Sequence, residues 1–316
     1  MSESTAGFLE RAGAARVSVS GPDARDFLQR MITADVKSLA TGQGTPSFLL
    51  ERAGRVVDRV IVVDRETDFL LFGNDGREDA VVEWLEKYVI ADDVQVRRLS
   101  GDTAAFTVLG SDWSVDSLPG REGLEPWCAA LGAGPAGPRV CIRAEDLDGP
   151  SYHVLIPAAE RDAFRAALAP LPELDDSRFQ ALRLIHGVPR FGHEYTERTI
   201  PLETGMLDAI SFTKGCYVGQ EVIARLHHQK RVKRALIHLR LDGPAVPEAG
   251  AEVMAGERSV GKITEAVAGP DHVAAFAYVA ADAVRVQENG SVVAVEPLQV
   301  IVEQKSIPAL IPGGAS

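Results

Sequence analysis

The chain has few cysteines: Cys128, Cys141 and Cys216 are the only three among 316 residues, and no two of them form a C-x-x-C pair. An odd number without such pairs excludes a disulfide framework and favours a reducing compartment, so we expect the cytoplasm. No run of about 18 apolar residues is present, and the N-terminal residues lack the basic start and apolar core of a secretion signal. We therefore expect no association with a membrane.

The motifs of several common enzyme classes find no support in the sequence. No G-x-G-x-x-G or G-x-x-x-x-G-K-[ST] sequence follows a predicted strand, so Rossmann and P-loop nucleotide sites have no support. The absence of a G-x-S-x-G motif likewise leaves serine hydrolysis without support. Positive charge is scarce, since 33 Lys and Arg residues stand against 45 Asp and Glu residues and the net charge is -12. Such a field repels nucleic acid, and an anionic ligand needs a local basic patch.

The remaining composition, 46% hydrophobic and 25% charged, is that of an ordinary globular protein of two or three domains. Strand and helix patterns alternate irregularly, which predicts an α+β fold rather than a repeated βαβ unit. The segment 120–137 is rich in Gly, Pro and Ala and predicts a surface excursion. From residue 233 onward the pattern consists almost wholly of strands and turns, which predicts a small β-barrel or sandwich.

The most informative stretch is Lys214-Gly215-Cys216-Tyr217-Val218-Gly219-Gln220-Glu221. Its cysteine lies on a glycine-flanked, flexible turn, two positions after a lysine and just before a predicted helix. A neighbouring cation and a helix N-terminus both favour thiolate over thiol. Two interpretations stay open at this point, because free cysteines are also common as small buried apolar residues.

The same stretch carries a resemblance to a known family. Together with Pro201-Leu202-Glu203 and Ala224-Arg225, the run from Ser211 to Glu221 resembles the signature of the YgfZ family. That family is a branch of the folate-binding superfamily that includes the T-protein (aminomethyltransferase) of glycine cleavage, and its members assist maturation or repair of iron–sulfur enzymes.

The resemblance implies a three-domain, T-protein-like cloverleaf of the α+β class. Residues 1–45 with 100–230 would form a discontinuous folate-binding domain. Residues 46–99 would form an inserted ferredoxin-like domain, and 231–316 a C-terminal β-barrel. The implied cofactor is tetrahydrofolate or a one-carbon derivative.

The resemblance also assigns roles to single residues. Glu203 matches the pterin-binding carboxylate, which can accept two parallel N–H bonds from a pterin edge. Asn74 matches an asparagine that hydrogen-bonds the folate, and Asp58 matches an acid near its reactive nitrogen. Each also has a structural alternative: Glu203 as a solvated loop residue or a partner of Arg198, Asn74 as a turn residue, and Asp58 as decoration of a hairpin strand.

Two positions depart from the superfamily pattern. Ile185 stands where T-proteins have a second pterin-contacting glutamate, and Arg59 stands where they have a second aspartate next to Asp58. These departures weaken the case for aminomethyl transfer.

The stretch from 214 to 240 reverses the charge of the chain, with seven basic residues and only one acidic residue. Such a stretch suits the glutamate tail of folate, and we expect Arg225 and Tyr217 to help bind the cofactor. RNA phosphate and a solvated strand edge are the alternatives. Few aromatic residues lie among these basic residues, so direct nucleic-acid binding is not expected.

The sequence therefore supports two main hypotheses for function. The first is a tetrahydrofolate-binding accessory factor for assembly or repair of iron–sulfur client enzymes, with Cys216 as the functional thiol and Lys214 and Asp58 beside the chemistry. The alternative is a folate-dependent aminomethyltransferase or demethylase of the T-protein type, for which Asp58 would be essential.

Overall fold

The computed structural model describes residues 6–110, 113, 123–144, 147, 150–229, 231–286, 292–302 and 305–312. Contacts divide them into two compact units. The N-terminal unit comprises the described parts of 3–176 with 208–220, and the barrel unit those of 177–207 with 221–316. The sequence also predicts a short helix after residue 109, and that segment lies almost wholly outside the described residues. In the described part of the chain, no helix is long and apolar enough to cross a membrane.

The N-terminal unit contains ten strands and three α-helices in the described ranges. In chain order they are β1 Gly7–Glu10, β2 Ala14–Ser20, α1 Ala24–Met31, β3 Gly44–Leu50, β4 Val56–Asp64, β5 Asp68–Asp75, α2 Glu78–Glu86, β6 Gln95–Arg98, β7 Thr103–Leu109, β8 Ala129–Gly134, β9 Gly137–Ala144, β10 Ser151–Pro157 and α3 Arg161–Ala167.

These strands form two five-stranded antiparallel sheets, in the orders β3-β4-β5-β2-β6 and β1-β7-β10-β9-β8. Side chains on successive residues of a strand point to opposite faces. In β4, Val60 and Val62 accordingly pack with α1 and α2, whereas Ile61 and Val63 pack against the second sheet. The far face of the second sheet packs against α3 through Phe164. This layering places Asp58 on the helix side of β4 and Arg59 on the side of the second sheet.

The surface excursion predicted over 120–137 is wrong for its described C-terminal part. Strand β8 pairs with β9 from Ala129↔Ile142 to Gly134↔Gly137. The backbone pairing does not require large side chains, and Gly137 adopts a positive φ of 146° that allows the tight turn. A composition rich in Gly, Pro and Ala therefore gave no indication of this edge strand.

The barrel unit begins with two helices and continues with strands. Its elements are α4 Asp176–Ile185, α5 Gln220–Gln229, β11 Arg234–Leu241, β12 Glu252–Ala255, β13 Arg258–Ala268, β14 Val273–Ala280, β15 Val284–Val286, β16 Val292–Ala294, β17 Leu298–Val302 and β18 Lys305–Leu310. Six strands close a barrel in the order β11-β14-β13-β12-β17-β18. Leu184 of α4 packs on Leu236 and Phe276 of the barrel wall.

The predicted domain boundaries remain a prediction. In the first sheet, β2 lies between β5 and β6. Strand β2 belongs to the range 1–45, whereas β5 and β6 belong to the range 46–99. Strand β2 thus shares one sheet and one apolar core with the segment expected to be an insert.

Candidate functional site

Asp58 and Asn74 form a buried pair in the N-terminal unit. The Asp58 side chain is fully buried. Its Oδ1 accepts a hydrogen bond from Asn74 Nδ2 at 2.6 Å, and its Oδ2 accepts one from the Asn74 main-chain N–H at 3.2 Å. Burial raises the pKa of Asp58 to about 6, and the bonds from Asn74 oppose this rise. The carboxylate therefore fixes the position of Asn74 and is not a solvated residue of a hairpin.

A glycine makes room for this pair. A Cβ atom at Gly73 would clash with Asp58 Oδ2 and would lie 3.1 Å from Val60 Cγ1. Only a residue without a side chain lets the carboxylate lie against the backbone of β5. Sequence reasoning missed Gly73, although its place directly before Asn74 was a usable signal.

Lys214 ties the loop over residues 211–219 to the segment that follows the first helix. Its Nζ donates to the main-chain oxygen of Ile32 at 2.9 Å and to that of Ala34 at 2.5 Å. Burial lowers the pKa of Lys214 to about 8, and the Asp35 carboxylate opposes this shift. The ammonium group is thus directed at backbone carbonyls of another segment.

Further hydrogen bonds hold the loop on both sides of the cysteine. Ser211 N–H donates to Thr33 O at 2.9 Å, and Val218 N–H donates to Arg30 O at 3.1 Å. Gly219 has a φ of 83°, and a Cβ there would lie 2.8 Å from Glu51 O. The loop that was expected to be flexible is therefore anchored at several points to its own unit.

Cys216 is exposed on this anchored loop. Exposure removes the interpretation of the thiol as a small buried apolar residue. The neighbouring Tyr217 is buried, and its ring centroid lies 5.5 Å from Lys214 Nζ. Burial raises the pKa of Tyr217 to about 12. Tyr217 thus packs beneath the loop, and its expected contact with a cofactor remains a prediction.

Glu203 lies in the barrel unit, in the short helix Pro201–Glu203. Its side chain is 13% exposed, and its Oε2 accepts a hydrogen bond from Arg234 Nη2 at 3.0 Å. The Ile200 N–H also approaches this oxygen, at 3.5 Å. Arg234 is a partner that sequence reasoning did not identify, although it lies in the basic stretch.

The other residues of the basic stretch are distributed along the surface of the barrel unit. Arg225 of α5 is exposed, as are Arg231, Lys233 and Arg240. Lys230 lies outside the described residues. The structure therefore brings Asp58 together with Asn74, places Lys214, Cys216 and Tyr217 on one loop, and puts Glu203 and Arg225 in the barrel unit.

The bonds of Lys214 lead to a first prediction. Replacing it by methionine removes two charge-assisted hydrogen bonds, so we expect Lys214→Met to speed amide hydrogen exchange at Ser211 and Val218 about tenfold or more. The rate at which iodoacetamide alkylates Cys216 at one fixed pH, read by mass spectrometry, should change little. Lys214→Arg, which keeps charge and donors, is the control. A large fall in that rate, with unchanged hydrogen exchange, would instead make Lys214 an activator of the thiol.

Comparison with known proteins agrees with this fold. Residues 2–113 match the model of the GCVT N-terminal domain. An aminomethyltransferase of Bacillus subtilis is 27% identical over 291 residues, which cover 84% of this chain and 76% of that protein. The crystal structure of glycine cleavage system aminomethyltransferase T from Bartonella henselae superposes with a TM-score of 0.83 at 22% identity, covering 97% of this chain and 84% of that one. The predicted α+β fold of the T-protein type, with its C-terminal barrel, is confirmed.

These matches define the class: the chain is a member of the aminomethyltransferase superfamily. The tRNA-modifying protein YgfZ of Klebsiella pneumoniae is 30% identical over 247 residues, which cover 76% of this chain and 73% of that protein. Within the superfamily, the chain belongs to the YgfZ family. It is also 27% identical to the putative transferase At1g60990, chloroplastic, of Arabidopsis thaliana, of which it spans 60%.

Proposed function

We propose that this chain is a cytoplasmic tetrahydrofolate-binding factor that assists assembly or repair of iron–sulfur proteins, with Cys216 as its functional thiol. The observation that carries the proposal is the exposed thiol on a loop whose flanking residues are bonded to the first helix and the segment after it. A thiol held in this way is suited to exchange with, or attack on, a group on another protein. All three cysteines are free, as a reducing compartment requires.

Glu203 supports the folate part of the proposal. Its carboxylate is held by Arg234 and is mostly buried, so its orientation is set before any ligand binds. A carboxylate in that state suits the two parallel N–H donors of a pterin edge. The bound folate would supply nitrogen atoms that carry one-carbon units.

Asn74 and Asp58 have distinct roles in the proposal. Asn74 would contact folate through its amide oxygen, an acceptor, because the two Nδ2 hydrogens are donated to Asp58 Oδ1 and to Arg59 O. Asp58 would act through Asn74, because the hydrogen bonds between them lock the amide in one orientation. Asp58 is therefore a positioning residue in this scheme, and Arg59 points to the opposite face of the sheet, where its guanidinium lies 5.5 Å from the Trp127 ring.

Replacing Glu203 tests the folate site. We expect Glu203→Gln to weaken tetrahydrofolate binding about tenfold to a hundredfold, because charged hydrogen bonds contribute about 1.5–3 kcal/mol. The measurement is anaerobic calorimetric titration with tetrahydrofolate. Glu248→Gln, at an exposed position of the same unit, is the matched control. Absence of binding by the wild type would refute the folate role, and equal affinities of all three proteins would remove Glu203 from it.

A second candidate function is a folate-dependent aminomethyltransferase or demethylase. The match to an aminomethyltransferase over 84% of the chain favours it. Full burial of Asp58 and the arginine at position 59 count against it. Mass-spectrometric detection of methylene-tetrahydrofolate formed from candidate amines separates the two functions, since only the enzyme turns over.

A further inference from the structure

A cleft of about 430 Å³ opens in the N-terminal unit, where the strand connections of its two sheets meet. Residues of the β4–β5 turn, the β6–β7 turn, the β8–β9 hairpin and the end of β10 line it. Cavities of this size accommodate small organic molecules. The proposed folate and thiol chemistry uses none of these residues.

Three arginines line the cleft: Arg65 of the β4–β5 turn, Arg97 of β6 and Arg139 of β9. Each is bonded to an acid, since Arg65 Nε donates to Asp68 at 2.8 Å and Arg97 Nη1 donates to Asp102 at 3.2 Å. The acid bonded to Arg139 is not among the lining residues. All three guanidinium groups are thus paired with acids, and only an unpaired N–H on one of them would favour an anionic ligand.

Arg139 is the most unusual of the three. Its side chain is only 9% exposed, and its Nη2 and Nε both donate to Glu160 Oε2 at 2.5 Å. Its Nη1, in contrast, is buried and has no hydrogen-bond partner among the described residues. Leaving a buried donor unsatisfied is costly. A Cβ at Gly134 would clash with this guanidinium, so the hairpin glycine makes room for it.

The rest of the lining is apolar. Leu99, Val140 and Leu155 belong to the core between the two sheets and form part of the wall of the cleft. Leu131, which also lines it, is 38% exposed and is one of the few large apolar residues open to solvent. A ligand with an apolar body would cover this side chain.

We propose that this cleft binds a small organic carboxylate with an apolar body, its carboxylate accepting from Arg139 Nη1 and lying close to Arg65 and Arg97. The apolar body would rest on Leu131 and the end of the core between the sheets. The orphaned donor provides a specific position for the anion, and the apolar wall excludes water around it.

Paired probes test the site on the full chain by calorimetric titration. Benzoate should bind, whereas benzamide, of similar shape but without charge, and inorganic phosphate, without an apolar body, should bind at least tenfold more weakly. Arg139→Lys keeps a cation beside Glu160 but loses the planar guanidinium with its several N–H donors, and should weaken benzoate binding about tenfold. Arg97→Gln should weaken it about threefold to fivefold, as expected for an exposed charge.

Arg98 supplies a matched control for Arg97. It is the next residue of β6, and its Nε is bonded to Asp79 at 2.8 Å outside the cleft. Arg98→Gln should leave benzoate affinity unchanged. Equal binding of benzoate and benzamide, or equal losses in Arg97→Gln and Arg98→Gln, would overturn the proposal. Because no folate is present in this titration, its outcome is independent of the folate hypothesis.

Discussion

Replacing Cys216 by serine should abolish the ability of the protein to sustain iron–sulfur enzyme activity in a strain that lacks its own YgfZ-family protein. The side chain is exposed, so exchanging one atom should change the free energy of unfolding by less than about 0.5 kcal/mol. The chemistry changes far more, because a serine hydroxyl does not ionise near neutral pH and lacks the nucleophilicity of a thiolate. Activity of an iron–sulfur enzyme in cell extract should therefore fall to that of the deletion strain.

Cys128→Ser is the matched control, because Cys128 lies in the same unit but is only partly exposed. It should restore activity as the wild type does, with equal protein levels on a blot. If Cys216→Ser restores activity fully, the thiol has no essential role and the anchored loop serves another purpose. If both variants fail while protein levels drop, the effect is one of stability.

Sequence patterns predicted the fold best where apolar periodicity is strong. The apolar pattern over 55–63 predicts a strand, which is β4, Val56–Asp64, and the pattern over 77–88 predicts a helix, which is α2, Glu78–Glu86. Both have continuous apolar faces that local spacing reveals. Strand β8 was not predicted because it pairs with β9 through backbone groups. Its Ala and Gly residues do not give the alternation of apolar and polar side chains that marks a strand.

The candidate site was predictable in its residues but not in its contacts. The motif around Cys216 identified the loop, yet nothing in the sequence showed that Lys214 reaches the carbonyls of Ile32 and Ala34, which are 182 and 180 positions away. The same holds for Arg234, which bonds Glu203 across 31 positions. Contacts of this kind depend on how sheets and loops pack, and a single sequence does not encode them as a local pattern.

A buried charge network in the barrel unit was missed entirely. Arg183 of α4 is 1% exposed, and its Nη1 donates to Glu194 Oε2 at 2.7 Å while its Nη2 donates to Glu265 Oε2 at 2.5 Å. Glu194 is itself buried, and its Oε1 has no hydrogen-bond partner among the described residues. A usable signal existed, because Arg183 lies four residues after the buried Phe179, on the apolar side of α4.

Burial raises the pKa of Glu194 above its ordinary value, Arg183 opposes the rise, and the charge of Glu265 adds to it. A carboxyl group whose pKa is higher in the folded than in the unfolded state binds more protons when folded. The stability of the wild type should therefore fall, through this group, as pH rises from the ordinary carboxyl range toward neutrality. Protonation would also give the orphaned Glu194 oxygen a proton with which to donate to a neighbour.

Arg183→Met should lower the free energy of unfolding by about 3–5 kcal/mol, because removing one partner leaves buried carboxylates uncompensated. Glu194→Gln, which removes a charge but keeps the shape, should cost far less and should gain on the wild type as pH rises from about 5 to 8. Urea unfolding of the three proteins across that range measures both effects. Two results would contradict this account of the network. One is a fall in the free energy of unfolding below about 1 kcal/mol for Arg183→Met, and the other is a difference in that free energy between Glu194→Gln and wild type that does not change with pH.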